Sequence, residues 1–166
     1  MRSWLPKRMM AAAIALLALS CGAWAQDNDG CTNATLKGDY AFAVTEWTLS
    51  SAQLWVPEFV VGIAEFDGTG KLTQTDYQAG SGPTGFRTGE TGSYTVNPDC
   101  TGAGEIDLNV GGVGTGHGVI KLMFVVSNGG RAIHAVVSQF TPPFATQPVI
   151  DQIRSDFWKV GSEQDN

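Results

Sequence analysis

The stretch that decides the fold lies at residues 62–72 and consists of Gly62-Ile63-Ala64-Glu65-Phe66-Asp67-Gly68-Thr69-Gly70-Lys71-Leu72. An apolar segment precedes an Asp-Gly turn and a second segment follows it, which is the pattern of a β-hairpin. A similar arrangement recurs at 92–108, where the turn begins at Asn97-Pro98-Asp99. A chain of such hairpins forms an antiparallel meander, so the sequence predicts an all-β protein.

Further strands are predicted on both sides of these hairpins. The predicted strands cover residues 36–47, 58–67, 71–78, 89–96, 104–110, 119–127, 131–140 and 152–160; for the last, a short helix at 150–157 is the alternative. Glycine-rich loops lie at 80–85 and 111–116. Eight evenly spaced strands without a long helical pattern predict a small antiparallel up-and-down β-barrel, and a β-sandwich is the alternative.

The first 25 residues carry the pattern of an export signal. Three basic side chains precede an apolar run at 9–19, and an Ala-Trp-Ala motif at 23–25 forms a small-residue cleavage site. The apolar run is shorter than the roughly 18 residues that a membrane span needs. We therefore expect a signal peptide at 1–25 and a single barrel domain at 26–166, periplasmic or secreted. A lipid anchor at Cys21 is the alternative, although the bulky Leu19 is unfavourable for it.

The charge balance bears on the kind of partner. Residues 1–25 hold three of the 10 basic side chains and none of the 16 acidic ones. Residues 26–166 therefore have 7 basic and 16 acidic side chains, a net charge of −9. Such a charge repels nucleic acids and anionic membrane surfaces, so we expect neither as a partner. No cofactor is predicted.

Cys31 and Cys100 are the cysteines of the chain 26–166. An exported chain meets oxidising conditions, so we expect one disulfide that joins the N-terminal segment to a hairpin turn. A redox or metal pair is the alternative, but no Cys-x-x-Cys motif is present and no histidine lies near either cysteine in sequence. The turn at 67–70 lacks the further carboxylates of a calcium loop, and no metal site is predicted.

Three patterns carry a resemblance to known proteins. They are Leu36-x-Gly38-x-Tyr40-x-Phe42, Gly62-x-x-x-Phe66-Asp67-Gly68-x-Gly70 and Gly92-x-Tyr94-x-Val96-Asn97-x-Asp99-Cys100-Thr101-Gly102. Together they resemble a pattern in secreted, largely uncharacterised bacterial β-barrel proteins. The barrel is similar to calycin-type and allene-oxide-cyclase-like barrels, which implies a lumen that binds or isomerises small apolar molecules. No catalytic motif of those cyclases is present.

Aromatic side chains on the predicted strands are the candidates for binding such a molecule. They are Tyr40, Phe42, Phe66 and Tyr94, together with His134 on an otherwise apolar strand. Rings provide a large contact area at little entropy cost. The alternative is that the same rings fill the core of a small barrel that holds no ligand.

Charged or titratable side chains on apolar strands are the candidates for catalysis. They are His134, Lys121 and Arg154, with Glu65 as a counter-charge. In a dry lumen a paired base or cation could take a proton or polarise a carbonyl. The alternatives are a hydrogen-bonded histidine within the barrel and charged groups that point into water.

Three functions are consistent with these patterns. The first is an extracytoplasmic barrel that binds a small apolar or aromatic molecule in its lumen. The second is a lumenal isomerase, cyclase or lyase. The third is an envelope or secreted interaction protein without a pocket.

The strands at 119–127 and 131–140 carry apolar side chains on both faces, which predicts a homo-oligomer joined through this hairpin. Light scattering should give the mass of an oligomer at tens of micromolar. A monomer in which the segment around Pro142-Pro143-Phe144 covers these strands would contradict the prediction.

Overall fold

The computed structural model describes residues 30–49, 55–79, 85–109, 117–141, 147–148 and 153–161. The predicted signal peptide at 1–25, most of the loop 80–85, the loop 111–116 and the segment 142–144 lie outside these residues. Within the described part of the chain, no helix is long and apolar enough to cross a membrane.

Eight strands form one closed antiparallel barrel in which neighbours in the chain pair with each other and β8 pairs with β1. They are β1 Lys37–Leu49, β2 Trp55–Asp67, β3 Lys71–Ala79, β4 Arg87–Val96, β5 Thr101–Asn109, β6 His117–Ser127, β7 Ala132–Thr141 and β8 Arg154–Lys159. The up-and-down barrel is thus confirmed against the sandwich. The helix proposed as an alternative at 150–157 is wrong for residues 154–157, which lie in β8.

The turn between β2 and β3 is held by the carboxylate of Asp67. Its Oδ1 atom accepts hydrogen bonds from the backbone N–H groups of Thr69, Gly70 and Lys71 at 2.7–3.0 Å. The Thr69 hydroxyl donates to Oδ2, and this bond together with the backbone bonds lowers the pKa of Asp67 to about 2. The turn that the sequence predicted is therefore stabilised by an ionised side chain.

One end of the barrel, called here the closed end, is covered by the N-terminal segment. A short 3₁₀ helix at Asn33–Thr35 precedes Leu36, which is fully buried. The Tyr94 hydroxyl donates to the Leu36 carbonyl at 2.9 Å, and the predicted disulfide Cys31–Cys100 ties the segment to the β4–β5 turn. The β2–β3, β4–β5 and β6–β7 turns lie at this end, and the strand ends that lead into the other four connections mark the opposite end, called here the loop end.

Aromatic rings fill the interior beside the closed end. The Phe66 ring packs edge-on against Tyr40 and Tyr94, with ring centroids 5.1 and 5.0 Å apart. The Phe42 and Phe157 rings are 5.1 Å apart. Such pairs are favoured by their geometry as well as by the apolar area that they bury. This half of the interior is therefore a packed core.

The outer wall carries exposed apolar side chains on β6–β7 and on β2–β3, in addition to Trp47 and Trp158 on β1 and β8. The exposed apolar side chains of β6 and β7 are Met123, Val125 and Val136, and a second group on and beside β2 and β3 consists of Phe59, Val61, Ile63, Tyr77 and Phe86. Surfaces of this kind often mark protein interfaces. Association through β6 and β7 remains a prediction.

Replacing both Cys31 and Cys100 by alanine should lower the free energy of unfolding by about 4 kcal/mol, because the cross-link restricts the unfolded chain. The two cysteines are 69 residues apart. Urea unfolding measures the change, and the reduced wild-type protein should match the variant. Two reactive thiols in the unfolded, unreduced chain 26–166 would contradict the bond.

Candidate functional site

Polar side chains line the inner face of β3 toward the loop end. Leu72 is a core residue, and Gln74, Asp76 and Gln78 follow it at every second position. All four side chains therefore lie on the same, inward face of the strand. Gln74 and Asp76 are buried. The inner face of β3 therefore changes from apolar to polar as the strand approaches the loop end.

A β-bulge on β4 brings two charged side chains to the same interior. Gln74 pairs with Glu90, and Asp76 pairs with Arg87, so a step of two residues on β3 faces a step of three on β4. In a regular strand Arg87 and Glu90 would point to opposite faces. Gly89 lies in the bulge with φ 82°, in the left-handed region that glycine adopts without strain.

These residues form a continuous network of hydrogen bonds. Arg87 donates from Nε and Nη2 to the two carboxylate oxygens of Asp76, each at 2.7 Å, and from Nη1 to Gln78 Oε1 at 3.2 Å. Gln78 Nε2 donates to Glu58 Oε2 at 2.5 Å. Gln74 Nε2 donates to Glu90 Oε2 at 2.8 Å and to Asp76 Oδ2 at 3.5 Å, which joins Glu90 to the other residues. We call these six residues the lumenal network.

Glu90 is the member of the network whose bonding is incomplete. Its side chain is 0% exposed, and its Oε1 atom has no hydrogen-bond partner among the described residues. Arg87 Nε lies 3.7 Å from this oxygen but donates to Asp76 instead. Burial, and then the charge of Asp76, raise the pKa of Glu90 to about 7, against the opposing effects of Gln74 and Arg87.

Arg87 stands among several carboxylates. Burial lowers its pKa, but the hydrogen bonds and charge of Asp76, followed by the charges of Glu90 and Glu46, outweigh burial and raise it. Glu46 is on β1, Asp76 on β3 and Glu90 on β4, so acidic groups from three strands act on one guanidinium. This arrangement keeps Arg87 charged and favours the neutral form of one carboxyl group.

The network is costly to the fold. Desolvating each charged group costs several kcal/mol, and well-packed apolar residues in the place of a buried ion pair are often neutral or stabilising. A buried carboxyl group with a perturbed pKa inside a barrel is therefore a candidate for a functional site.

Apolar side chains line the neighbouring part of the same interior. Ile106 and Leu108 on β5 and Leu122 on β6 are buried, and Ile120 on β6 is partly buried against the core. Leu108 lies one residue beyond the Thr91–Asp107 pair, which places it at the level of Glu90 in the β4–β5 ladder. The interior toward the loop end thus has a polar wall on β2–β4 and an apolar wall on β5–β6.

The structure brings together the aromatic residues that the sequence suggested for ligand binding. Tyr40, Phe42, Phe66 and Tyr94 are all buried and belong to the packed core. The Tyr40 hydroxyl donates to the Gly130 carbonyl, which adds a structural role. Ligand binding by these four rings remains a prediction.

The residues suggested for lumenal catalysis lie on the outer wall instead. His134, Lys121 and Arg154 have side chains that are 53%, 47% and 74% exposed, and Glu65 is exposed as well. Lys121 Nζ lies 3.8 Å from Glu105 across the β5–β6 ladder. The expectation that these side chains could meet in the lumen is therefore corrected, as is the expectation that His134 could contact a ligand there, because strand alternation turns them outward.

Sequence reasoning did not identify Gln74, Asp76, Arg87 and Glu90. A usable signal was present in β3, where alternation from Leu72 places polar residues on the core face. For β4 the signal was weaker, because only the glycine at 89 hints at a bulge that changes which face Arg87 occupies.

Comparisons with models of protein families, with curated proteins and with solved structures found no match to this chain. Among the described residues, no group of three or more His, Cys, Asp or Glu side chains is arranged to hold a metal ion. The assignment of a function therefore rests on the barrel and on the lumenal network.

The raised pKa of Glu90 should make stability depend on pH. Between about pH 4.5, the ordinary value, and about pH 7, the folded protein binds a proton that the unfolded chain releases. The free energy of unfolding should therefore fall across this window as pH rises, by at most about 3 kcal/mol from this group. Urea unfolding at several pH values measures the slope.

The variant Glu90→Gln should lose this part of the pH dependence, because glutamine stays neutral. Glu65→Gln, on the outer face of β2, is the matched control and should keep the wild-type profile. Equal slopes for the wild type and Glu90→Gln would contradict the assignment of the buried proton to Glu90.

Proposed function

We propose that this protein is an extracytoplasmic barrel that binds a small molecule with an apolar or aromatic body in its lumen, at the loop end. The observation that carries the proposal is the incompletely bonded Glu90 within a buried, charged network beside an apolar wall. Binding sites for small molecules commonly combine apolar walls with a few convergent polar groups.

The two walls suggest how a ligand would be oriented. A ring or alkyl body would lie against Ile106, Leu108 and Ile120, and a polar group would face Glu90. The unbonded Oε1 atom accepts a hydrogen bond when Glu90 is ionised and can donate one when it is protonated. The aromatic cluster around Phe42 and Phe66 would form the floor of the site.

Two further observations and one expectation from the sequence support this proposal. The closed eight-stranded barrel is compatible with a calycin-like fold, whose relatives by resemblance hold ligands in the lumen. The Cys31–Cys100 disulfide is compatible with an oxidising compartment outside the cytoplasm. The export signal expected at 1–25 agrees with that location.

A lumenal isomerase, cyclase or lyase is the second candidate, and the pKa of Glu90 near 7 favours it. A carboxyl group with this pKa can give and take a proton at neutral pH, and Arg87 next to it could stabilise a developing negative charge. Turnover of a bound ligand that Glu90→Gln abolishes without loss of binding would be the signature of this activity.

Binding is tested by titration with N-phenyl-1-naphthylamine, a neutral aromatic amine whose fluorescence rises in apolar surroundings. We expect saturable binding at one site. The variant Ile120→Trp, which would place a bulky ring at the apolar wall, should weaken binding by at least about tenfold.

The matched control is Lys121→Trp, the next residue on β6, whose side chain lies on the outer wall. It should bind the probe as the wild type does. Absence of saturable binding, or binding that Ile120→Trp leaves unchanged, would contradict a lumenal site.

A further inference from the structure

Three polar side chains on the outer wall are connected in a chain that the lumenal site does not involve. His134 Nδ1 lies 2.8 Å from Asp156 Oδ1, and His134 Nε2 lies 3.3 Å from Ser127 Oγ. The ionised carboxylate of Asp156 can only accept a hydrogen bond, so the imidazole must be the donor. In a neutral imidazole the proton is therefore on Nδ1. Nε2 is then free to accept the proton of the Ser127 hydroxyl.

The register of three adjacent strands brings these residues together. His134 on β7 is directly opposite Asp156 on β8, and Val125 on β6 is directly opposite His134. Ser127 lies two residues beyond Val125 on the same outer face, which makes it a diagonal neighbour of His134. The order hydroxyl, imidazole, carboxylate therefore runs across the β6–β7–β8 sheet.

We propose that Ser127, His134 and Asp156 form a serine-nucleophile site on the outer wall that cleaves small esters with an apolar acyl or aryl group. The contacts are those of a nucleophile, its general base and the group that orients the base. Arg154 Nη2 forms an ion pair with Asp156 Oδ2 at 3.0 Å, which is the carboxylate oxygen that His134 does not contact.

The surroundings suit an apolar substrate. Ser127 pairs with Ala132, and Ala132 pairs with Trp158, so only the small alanine stands between the hydroxyl and the half-exposed indole. An open groove of about 760 Å³ begins at Asp156 and Trp158 and continues along Val136 toward Trp47. Ser127 and His134 do not line this groove themselves, so an acyl or aryl group on Ser127 would reach it beside Asp156 and Trp158.

The backbone after Ser127 turns sharply. Asn128 and Gly129 have φ values of 56° and 61°, both in the left-handed region, and they begin the β6–β7 turn. A nucleophile at a strand end before a tight turn is accessible to a substrate, and the amide N–H that follows it is the usual donor to the oxyanion. In this chain that amide belongs to Asn128.

The reaction follows from these contacts. Ser127 Oγ adds to the ester carbonyl while its proton passes to His134 Nε2, and His134 then gives that proton to the departing alkoxide, which leaves as an alcohol. Water, deprotonated by the same nitrogen, attacks the acyl-serine. The carboxylic acid is released and the serine regains its proton, so the cycle consumes one water for each ester.

The test is covalent labelling with a fluorophosphonate, which reacts with activated serines, followed by mass spectrometry of the labelled peptide. We expect the label on Ser127 and hydrolysis of p-nitrophenyl butyrate. Both should disappear in Ser127→Ala, and His134→Gln should slow both by at least about 100-fold because the general base is lost. Ser127→Ala should fold normally, since the side chain makes no capping bond to the turn.

Ser138→Ala is the matched control. Ser138 is exposed on β7, and its hydroxyl donates to the Lys121 carbonyl at 3.1 Å. This variant should be labelled and should hydrolyse the ester as the wild type does. Absence of labelling in the folded wild type would overturn the proposal. Hydrolysis that survives Ser127→Ala but is lost in His134→Gln would also overturn it, because the imidazole would then act alone.

Discussion

Pairing of the short strand β8 with β1 is the constraint on which the rest of the structure depends. Hydrogen bonds between residues 40–45 and 154–159 close the sheet, and closure removes the free edges that would invite aggregation. Closure also gives every strand one inner and one outer face. The aromatic core, the lumenal network and the outer serine site exist as separate features because of this division.

The interior of the barrel has two halves of different composition along the barrel axis. Beside the closed end, the disulfide, the buried Leu36 and the rings around Phe66 provide apolar burial and tight packing. Toward the loop end, Asp76, Arg87 and Glu90 put charge where apolar side chains would cost less. A firmly closed half can support a half whose composition is unfavourable for stability.

Polar groups on the two sides of the wall differ in their environment. Glu90 is removed from water, so its protonation is coupled to folding and to any ligand in the lumen. His134 is exposed, and the orientation of its ring is set by contacts with Ser127 and Asp156 on the adjacent strands. One site would therefore act through desolvation, and the other through the geometry of cross-strand neighbours.

The sequence by itself determined the strands, their order and the disulfide. Alternation, Asp-Gly and Asn-Gly-Gly turns and two cysteines are local or compositional signals, and each one constrains the backbone near itself. The turn at Asp67 illustrates this, because the capping carboxylate and the three backbone N–H groups that bond to it all lie within residues 67–71. The aromatic core at Tyr40 and Phe42 was likewise visible as one face of a strand.

Only the tertiary structure decided which polar side chains meet. Regular alternation from Glu90 would place Arg87 on the outer face of the barrel. The bulge at Gly89 puts it on the inner face instead. His134 drew attention in the sequence, but its partners Ser127 and Asp156 are 7 and 22 residues away. Contacts between strands depend on register and closure, and both are properties of the whole barrel rather than of any one segment.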